Sequence, residues 1–191
     1  MHLRQMASNG MYALAVLIIA AGSASAQAGR ETFKATATVK TASAATTTAP
    51  VTITVDRKMS EREAETLKAA FTAGGAAALR KALAGVPPTG SLQLGGGAPT
   101  PTRLTIERPT DKGRLLTIVT DKPVLFLGAG VPGAKPKEGY DFAVVDLEID
   151  ATGAGSGTLA PAAKITLKQG AFTVEDYASE LVKLTGVTLV K

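Results

Sequence analysis

Residue types that carry most enzymatic chemistry are scarce in this chain. It has no cysteine and no tryptophan, its aromatic content is 4%, and its one histidine is His2. His2 lies in a segment whose pattern is that of a secretory signal, so the exported chain is expected to lack histidine altogether. Without His or Cys, Ser-His-Asp and Cys-His nucleophilic catalysis are excluded, as are zinc, copper and haem sites built on those ligands. Disulfide staples are excluded too, which a domain of ordinary size tolerates because its core suffices. Carboxylate chemistry, Ser-Lys chemistry, oxygen-ligated cations and non-catalytic roles remain.

The N-terminus reads as a cleavable signal peptide over residues 1–26. Arg4 gives a basic n-region, Ala13 to Ala21 is an unbroken apolar run, and Ala24-Ser25-Ala26 offers small residues to a peptidase. The apolar run gives way to Gly22-Ser23 well short of the roughly 20 residues that span a bilayer. The mature chain is therefore expected to start at Gln27 and to form one domain over 27–191, periplasmic or extracellular, with no membrane span after cleavage. The net charge of +5 is spread along the sequence, from Lys34 and Arg57 to Lys164 and Lys183. Nucleic-acid binding calls for basic residues clustered beside stacking aromatics, so no nucleic-acid partner is expected.

Period-two alternation marks strands over Glu31 to Lys40, with Phe33, Ala35, Ala37 and Val39 on one face, and over Pro50 to Val55. The period changes at Ser60. Ser60-Glu61-Arg62-Glu63 is a capping box, and Ala64, Leu67, Phe71, Ala78 and Leu79 recur at helical spacing. Gly74-Gly75 interrupts this segment, and Gly85 before Pro87-Pro88 stops it. Further strands are expected at Ser91–Leu94, Arg103–Arg108, Arg114–Thr120, Val124–Leu127, Phe142–Asp150, Lys164–Lys168, Ala171–Glu175 and Leu181–Val190. Turn residues at 109–113 and 168–170 pair two of these couples as hairpins, whereas Thr152 to Pro161 reads as a connection. The fold class expected is α+β and predominantly antiparallel, a sandwich or curled sheet with one interrupted amphipathic helical segment packed on it.

Three patterns invite a chemical reading. Gly128-Ala-Gly130-Val-Pro-Gly133 has dinucleotide-loop spacing, and Glu148 lies twenty residues beyond Gly128. Pro132, Gly133 and Pro136 forbid the helix that must begin there, so the stretch is a surface loop. Asp146, Glu148 and Asp150 alternate along one strand near Asp141, which suits a calcium ledge or a paired-carboxylate site. As a calcium loop the sequence fails, with Ala151 and Gly157 where Gly and Glu are required. Cross-strand pairing of these acids with Lys164 and Lys168 is the expected role. No Ser-x-x-Lys opens a helix as a Ser-Lys site requires; Ser179 and Lys183 are four apart, but Leu181 onward reads as strand, and Tyr140 and Tyr177 read as rim residues tucked onto a core. No residue is assigned a catalytic, cofactor-binding or metal-binding role, and no cofactor is expected.

Three stretches resemble a group of uncharacterised exported bacterial proteins. They are Thr-Ile-Val-Thr-Asp-Lys-Pro over 117–123, Tyr-Asp-Phe-Ala-Val-Val-Asp-Leu-Glu over 140–148 with Gly-Thr-Leu-Ala over 157–160, and the ending from Asp176 through Val187. The resemblance implies a single domain closing on its last strand and brings no activity, ligand or site residue. The function expected is a non-enzymatic binding or structural role in the cell envelope or outside the cell, with an envelope protein or polysaccharide as partner. The alternative is a carboxylate-dependent hydrolase acting on cell-surface glycans.

Overall fold

A computed structural model describes residues 29–40, 46–124, 138–168, 171–176 and 182–190. In chain order the elements are β1 (Glu31–Lys40), β2 (Thr46–Val55), α1 (Glu61–Gly85), β3 (Gly90–Leu94), β4 (Thr100–Thr110), β5 (Gly113–Thr120), β6 (Phe142–Asp150), β7 (Ala154–Lys168), β8 (Ala171–Asp176) and β9 (Val182–Val190).

The strands do not form a sandwich or an open curled sheet. They run β6-β5-β4-β3-β2-β1-β9-β7, every neighbour antiparallel, and β7 pairs back onto β6 to close an eight-stranded barrel. Closure turns on the stretch that composition marks as a connection. Residues 154–161 are strand, not loop, and their glycines are close-approach positions. A Cβ on Gly155 would lie 2.0 Å from the Glu148 carbonyl oxygen, and one on Gly157 2.3 Å from that of Asp146. Bare backbone lets β7 lie tight against β6 while its other edge takes β9.

Alternation then sorts side chains to the inside or outside of the wall. Inside, Phe33 faces Ile53 and Ala37 faces Ala49 across β1 and β2. Leu92, Leu116, Ile118, Val145, Leu147, Ile149, Leu159 and Leu184 complete a filled interior, each at most 1% exposed. A barrel of this strand number is just wide enough for side chains to fill it. Outside, β1 presents Lys34 and Thr36, and β9 presents Lys183, Thr185 and Thr188, all exposed. This arrangement is the reverse of a lipid-facing barrel, whose outer band is apolar. Among the described residues no helix is long and apolar enough to cross a membrane.

A second core lies on the outer wall. Helix α1 begins at the expected capping box: the Glu63 amide donates to Ser60 Oγ at 3.3 Å, and the Ser60 amide donates to Glu63 Oε2 at 2.8 Å. It breaks where expected, with Gly75 at φ 64° and ψ −154°, a conformation reached essentially by glycine alone. Leu67, Leu79 and Leu83 of the helix pack on Leu104, Val119, Phe142, Val144, Ala160, Ala163 and Ile165. Both ends of the helix are tied to β4. The Met59 amide donates to the Thr105 carbonyl at 2.8 Å, and the Thr89 amide to that of Thr102 at 2.8 Å. The Thr105 hydroxyl donates to that of Thr89 at 2.9 Å, and Thr89 and Thr102 share a further hydroxyl contact at 3.1 Å.

The hairpin expected between β4 and β5 is present, closed by the Thr110–Gly113 pair. Strands β7 and β8 pair as far as Lys168 and Ala171. Of the strand expected over Val124–Leu127, Val124 is described and is not in a strand, while residues 125–127 and the loop Gly128 to Gly133 lie outside the described residues, as do Tyr177 and Ser179.

Candidate functional site

The acidic strand is the first place to look, and it does not gather a site. Asp141, just before β6, accepts from Arg80 Nη1 of α1 at 3.0 Å. Asp146 Oδ1 accepts from the Thr117 hydroxyl of β5 at 2.6 Å. Asp150 Oδ1 closes the turn into β7, accepting from the Thr152 hydroxyl at 2.6 Å, the Thr152 amide at 2.8 Å and the Ala154 amide at 3.1 Å. The Thr152 hydroxyl bond, followed by the amide bonds, holds the Asp150 carboxyl below its ordinary pKa. A general acid needs the opposite shift. Among the described residues no group of three or more acids or histidines converges as a metal site.

The expected pairing of these acids with Lys164 and Lys168 is also corrected. Strands β6 and β7 are neighbours, but Asp146 faces Thr158 and Glu148 faces Ser156. The last β6 partner is Phe142, opposite Ala163, so Lys164 and Lys168 lie beyond β6 and pair in register with Glu175 and Ala171 of β8. The register also shifts between Val144–Ala160 and Phe142–Ala163. That bulge inverts the parity of β7. Ile165, which unbroken alternation would put on the face of Val145, belongs instead to the outer core with Val144. Tyr140 is buried at 6% exposure, matching its reading as a residue tucked onto the core.

Charge is concentrated elsewhere, at one mouth of the barrel. Arg114 on the inner row of β5 donates from Nη2 to Glu31 Oε1 at 2.6 Å, and from Nη1 to Glu31 Oε2 at 3.2 Å and Glu107 Oε2 at 2.8 Å. Lys58 Nζ lies 2.5 Å from Glu107 Oε2 and 3.6 Å from Glu31 Oε2. The guanidinium carbon is 5.9 Å from the centroid of the Phe33 ring. Burial raises the Glu107 pKa, but the bonds and positive charges of Lys58 and Arg114 outweigh it and hold the carboxyl below its ordinary value. The Glu31 hydrogen bonds, opposed by burial and helped by Glu107, raise that of Arg114. Two acids and two bases neutralise one another here, as a polar plug on the filled interior. A wide depression of about 760 Å³, lined by Glu107, Gly113, Arg114, Asp150, Thr152 and Leu189, opens beside it. Its charged groups are already engaged, Glu107 and Arg114 with each other and Asp150 with its own turn.

A third feature is different in character. Between the second half of α1 and the outer wall runs a groove of about 420 Å³. Leu79 and Leu83 of α1 form one side. Leu104 and Ile106 of β4, Val119 of β5, Val144 of β6, Ile165 of β7 and Val174 of β8 form the rest, with Arg108, Thr117 and Asp146 as its polar members. Val174 is 44% exposed, one of two large apolar side chains exposed among the described residues. Concave, mostly apolar clefts of about 300–1,000 Å³ with a few placed polar groups are the usual form of a ligand site. Asp146 is the one acid of the expected cluster that reaches it. Sequence reasoning missed the groove, although runs such as Phe142-Ala-Val-Val145 and Ile118-Val119 signal strands covered on both faces.

Comparisons with family models, with curated proteins and with solved structures give no match for this chain.

Proposed function

We propose that this chain is an exported, non-enzymatic binding domain whose barrel is a rigid scaffold and whose outer-wall groove is the binding surface. The observation that carries the reading is the groove itself. It is an apolar concavity that leaves Val174 exposed, and among the described residues the one other exposed large apolar side chain is Val190 of β9. Among the described residues, the filled barrel interior and the spent charges at its mouth favour the groove as the place for a ligand. The signal-peptide pattern of residues 1–26 supports export, and the mass of the exported protein should match a chain beginning at Gln27. Asp141 paired with Arg80, and Asp150 held ionised by its turn, do not favour the glycan-hydrolase alternative.

The test is titration with an uncharged solvatochromic dye such as Nile red. Saturable binding is expected, and it should be lost in Ile106→Asp and in Val174→Asp. Ile106 is half-buried and Val174 exposed, so both variants should keep the far-ultraviolet circular dichroism of the barrel. Undiminished dye binding in the two folded variants, or none in the wild type, would remove the groove from the proposal.

A further inference from the structure

Strand pairing lays the outer wall out in transverse rows, and the rows are graded in polarity. Leu104, Val119, Val144 and Ala160 form the row on which α1 packs. The next row along the strands is Ile106, Thr117, Asp146 and Thr158, followed by Arg108, Leu115, Glu148 and Ser156. The groove therefore passes from hydrocarbon beneath the helix to hydroxyl, carboxylate and guanidinium at its open end. Arg108 and Asp146, the charged residues lining it, are opposite in sign. Thr117 occupies Asp146 Oδ1. Oδ2 and the Arg108 guanidinium have no partner among the described residues.

We infer that the groove takes a neutral single-chain amphiphile with a polyhydroxylated head. The chain lies beneath α1, and the head sits between Asp146 and Arg108. This inference rests on the reading of the groove as the binding surface. Hydroxyl groups both donate and accept, so one head can donate to Asp146 and accept from Arg108. Adjacent strands lie about 4.8 Å apart, which puts Asp146 on β6 and Arg108 on β4 two strand spacings apart across the sheet and one row apart along it. A sugar-sized ring together with the arginine's own length spans that separation. An ammonium head satisfies the acid but is repelled by the guanidinium. A carboxylate head meets the converse problem.

The experiment uses the exported protein and three probes with the same chain: octyl glucoside, octylamine and octanoate, each below its micelle concentration and each competing with bound Nile red. Octyl glucoside is expected to displace the dye at concentrations at least about tenfold lower than either charged probe, a difference equivalent to about 1.4 kcal/mol. The two polar residues should also shift the preference in opposite directions. Asp146→Asn should improve octanoate relative to octylamine, and Arg108→Gln should do the reverse. Three probes displacing dye equally, with neither variant altering their order, would overturn the head-group assignment and leave the groove standing. Dye that binds but is displaced by none of the three would overturn the single-chain amphiphile. Failure of the dye itself to bind would remove the groove reading beneath both. The wild-type comparison needs no variant to fold, and Asp146→Asn keeps an acceptor for Thr117.

Discussion

Arg114 and Glu31 are 83 positions apart in sequence and meet through two hydrogen bonds of 2.6 and 3.2 Å. The fork joins β5 to β1 across the barrel mouth, linking strands that are not neighbours in the sheet. Both side chains are less than a quarter exposed, at 23% and 17%. Removing the guanidinium leaves Glu31 and Glu107 sharing Lys58 alone. Arg114→Ala is expected to lower stability by about 1.5–3 kcal/mol, the range for hydrogen bonds to charged groups. Arg114→Lys should recover only part of this, because an ammonium cannot reproduce the planar fork. Urea unfolding midpoints of the three proteins measure both effects.

The same plug sets an acid limit. In the folded chain the Glu107 pKa lies below its ordinary value, which in an unfolded chain is about 4.3. A carboxyl with a depressed folded pKa contributes stability that is fully present above the unfolded value. That contribution is lost as pH falls through the folded value. Glu63, lowered chiefly by the Ser60 amide bond, acts in the same sense. Stability should therefore be level above about pH 5 and decline below about pH 4. Lys58→Met should flatten the acid limb by removing one of the partners that keep Glu107 ionised. A curve in which this variant loses stability on acidification as steeply as the wild type would count against the assignment.

Gly155 tests the cause of closure. Its missing Cβ is replaced by the Glu148 carbonyl at 2.0 Å from the ideal position, a backbone group that no side-chain rotation moves aside. Gly155→Ala should destabilise by about 3 kcal/mol, the upper end of ordinary overpacking. Amide exchange should rise first along β6 and β7. Uniform protection in the variant would mean that the two strands separate at little expense.

The helix break offers a paired comparison. Gly75 has φ 64° and open space around its Cβ position, whereas Gly85 also has open space but no positive φ. Steric crowding is thus absent at both, and only backbone conformation separates them. Gly75→Ala should destabilise by about 1–3 kcal/mol, and Gly85→Ala should stabilise by about 0.4–1 kcal/mol. Thermal unfolding of the two variants in one buffer is sufficient to show the opposite signs.

Local periodicity determines much of this molecule. The inward row of β1, the capping box at Ser60, the interruption at Gly74-Gly75 and the hairpin of β4 and β5 are all written in short stretches of sequence. Their physical causes are local too: alternation of the pleat, one hydroxyl, one positive φ, one turn. What tertiary structure alone decides is which edges meet. Closure of β7 on β6 depends on a backbone approach between residues such as Gly155 and Glu148. Glycines there resemble loop punctuation until the partner strand is known. The bulge at Ala160–Ala163 then reverses the parity of β7, carrying Ile165 outward and Lys164 past the acids it was expected to meet. The groove follows from the same event. Leu104, Val119, Val144 and Ile165 lie on four different strands, and only a closed wall places them side by side beneath one helix.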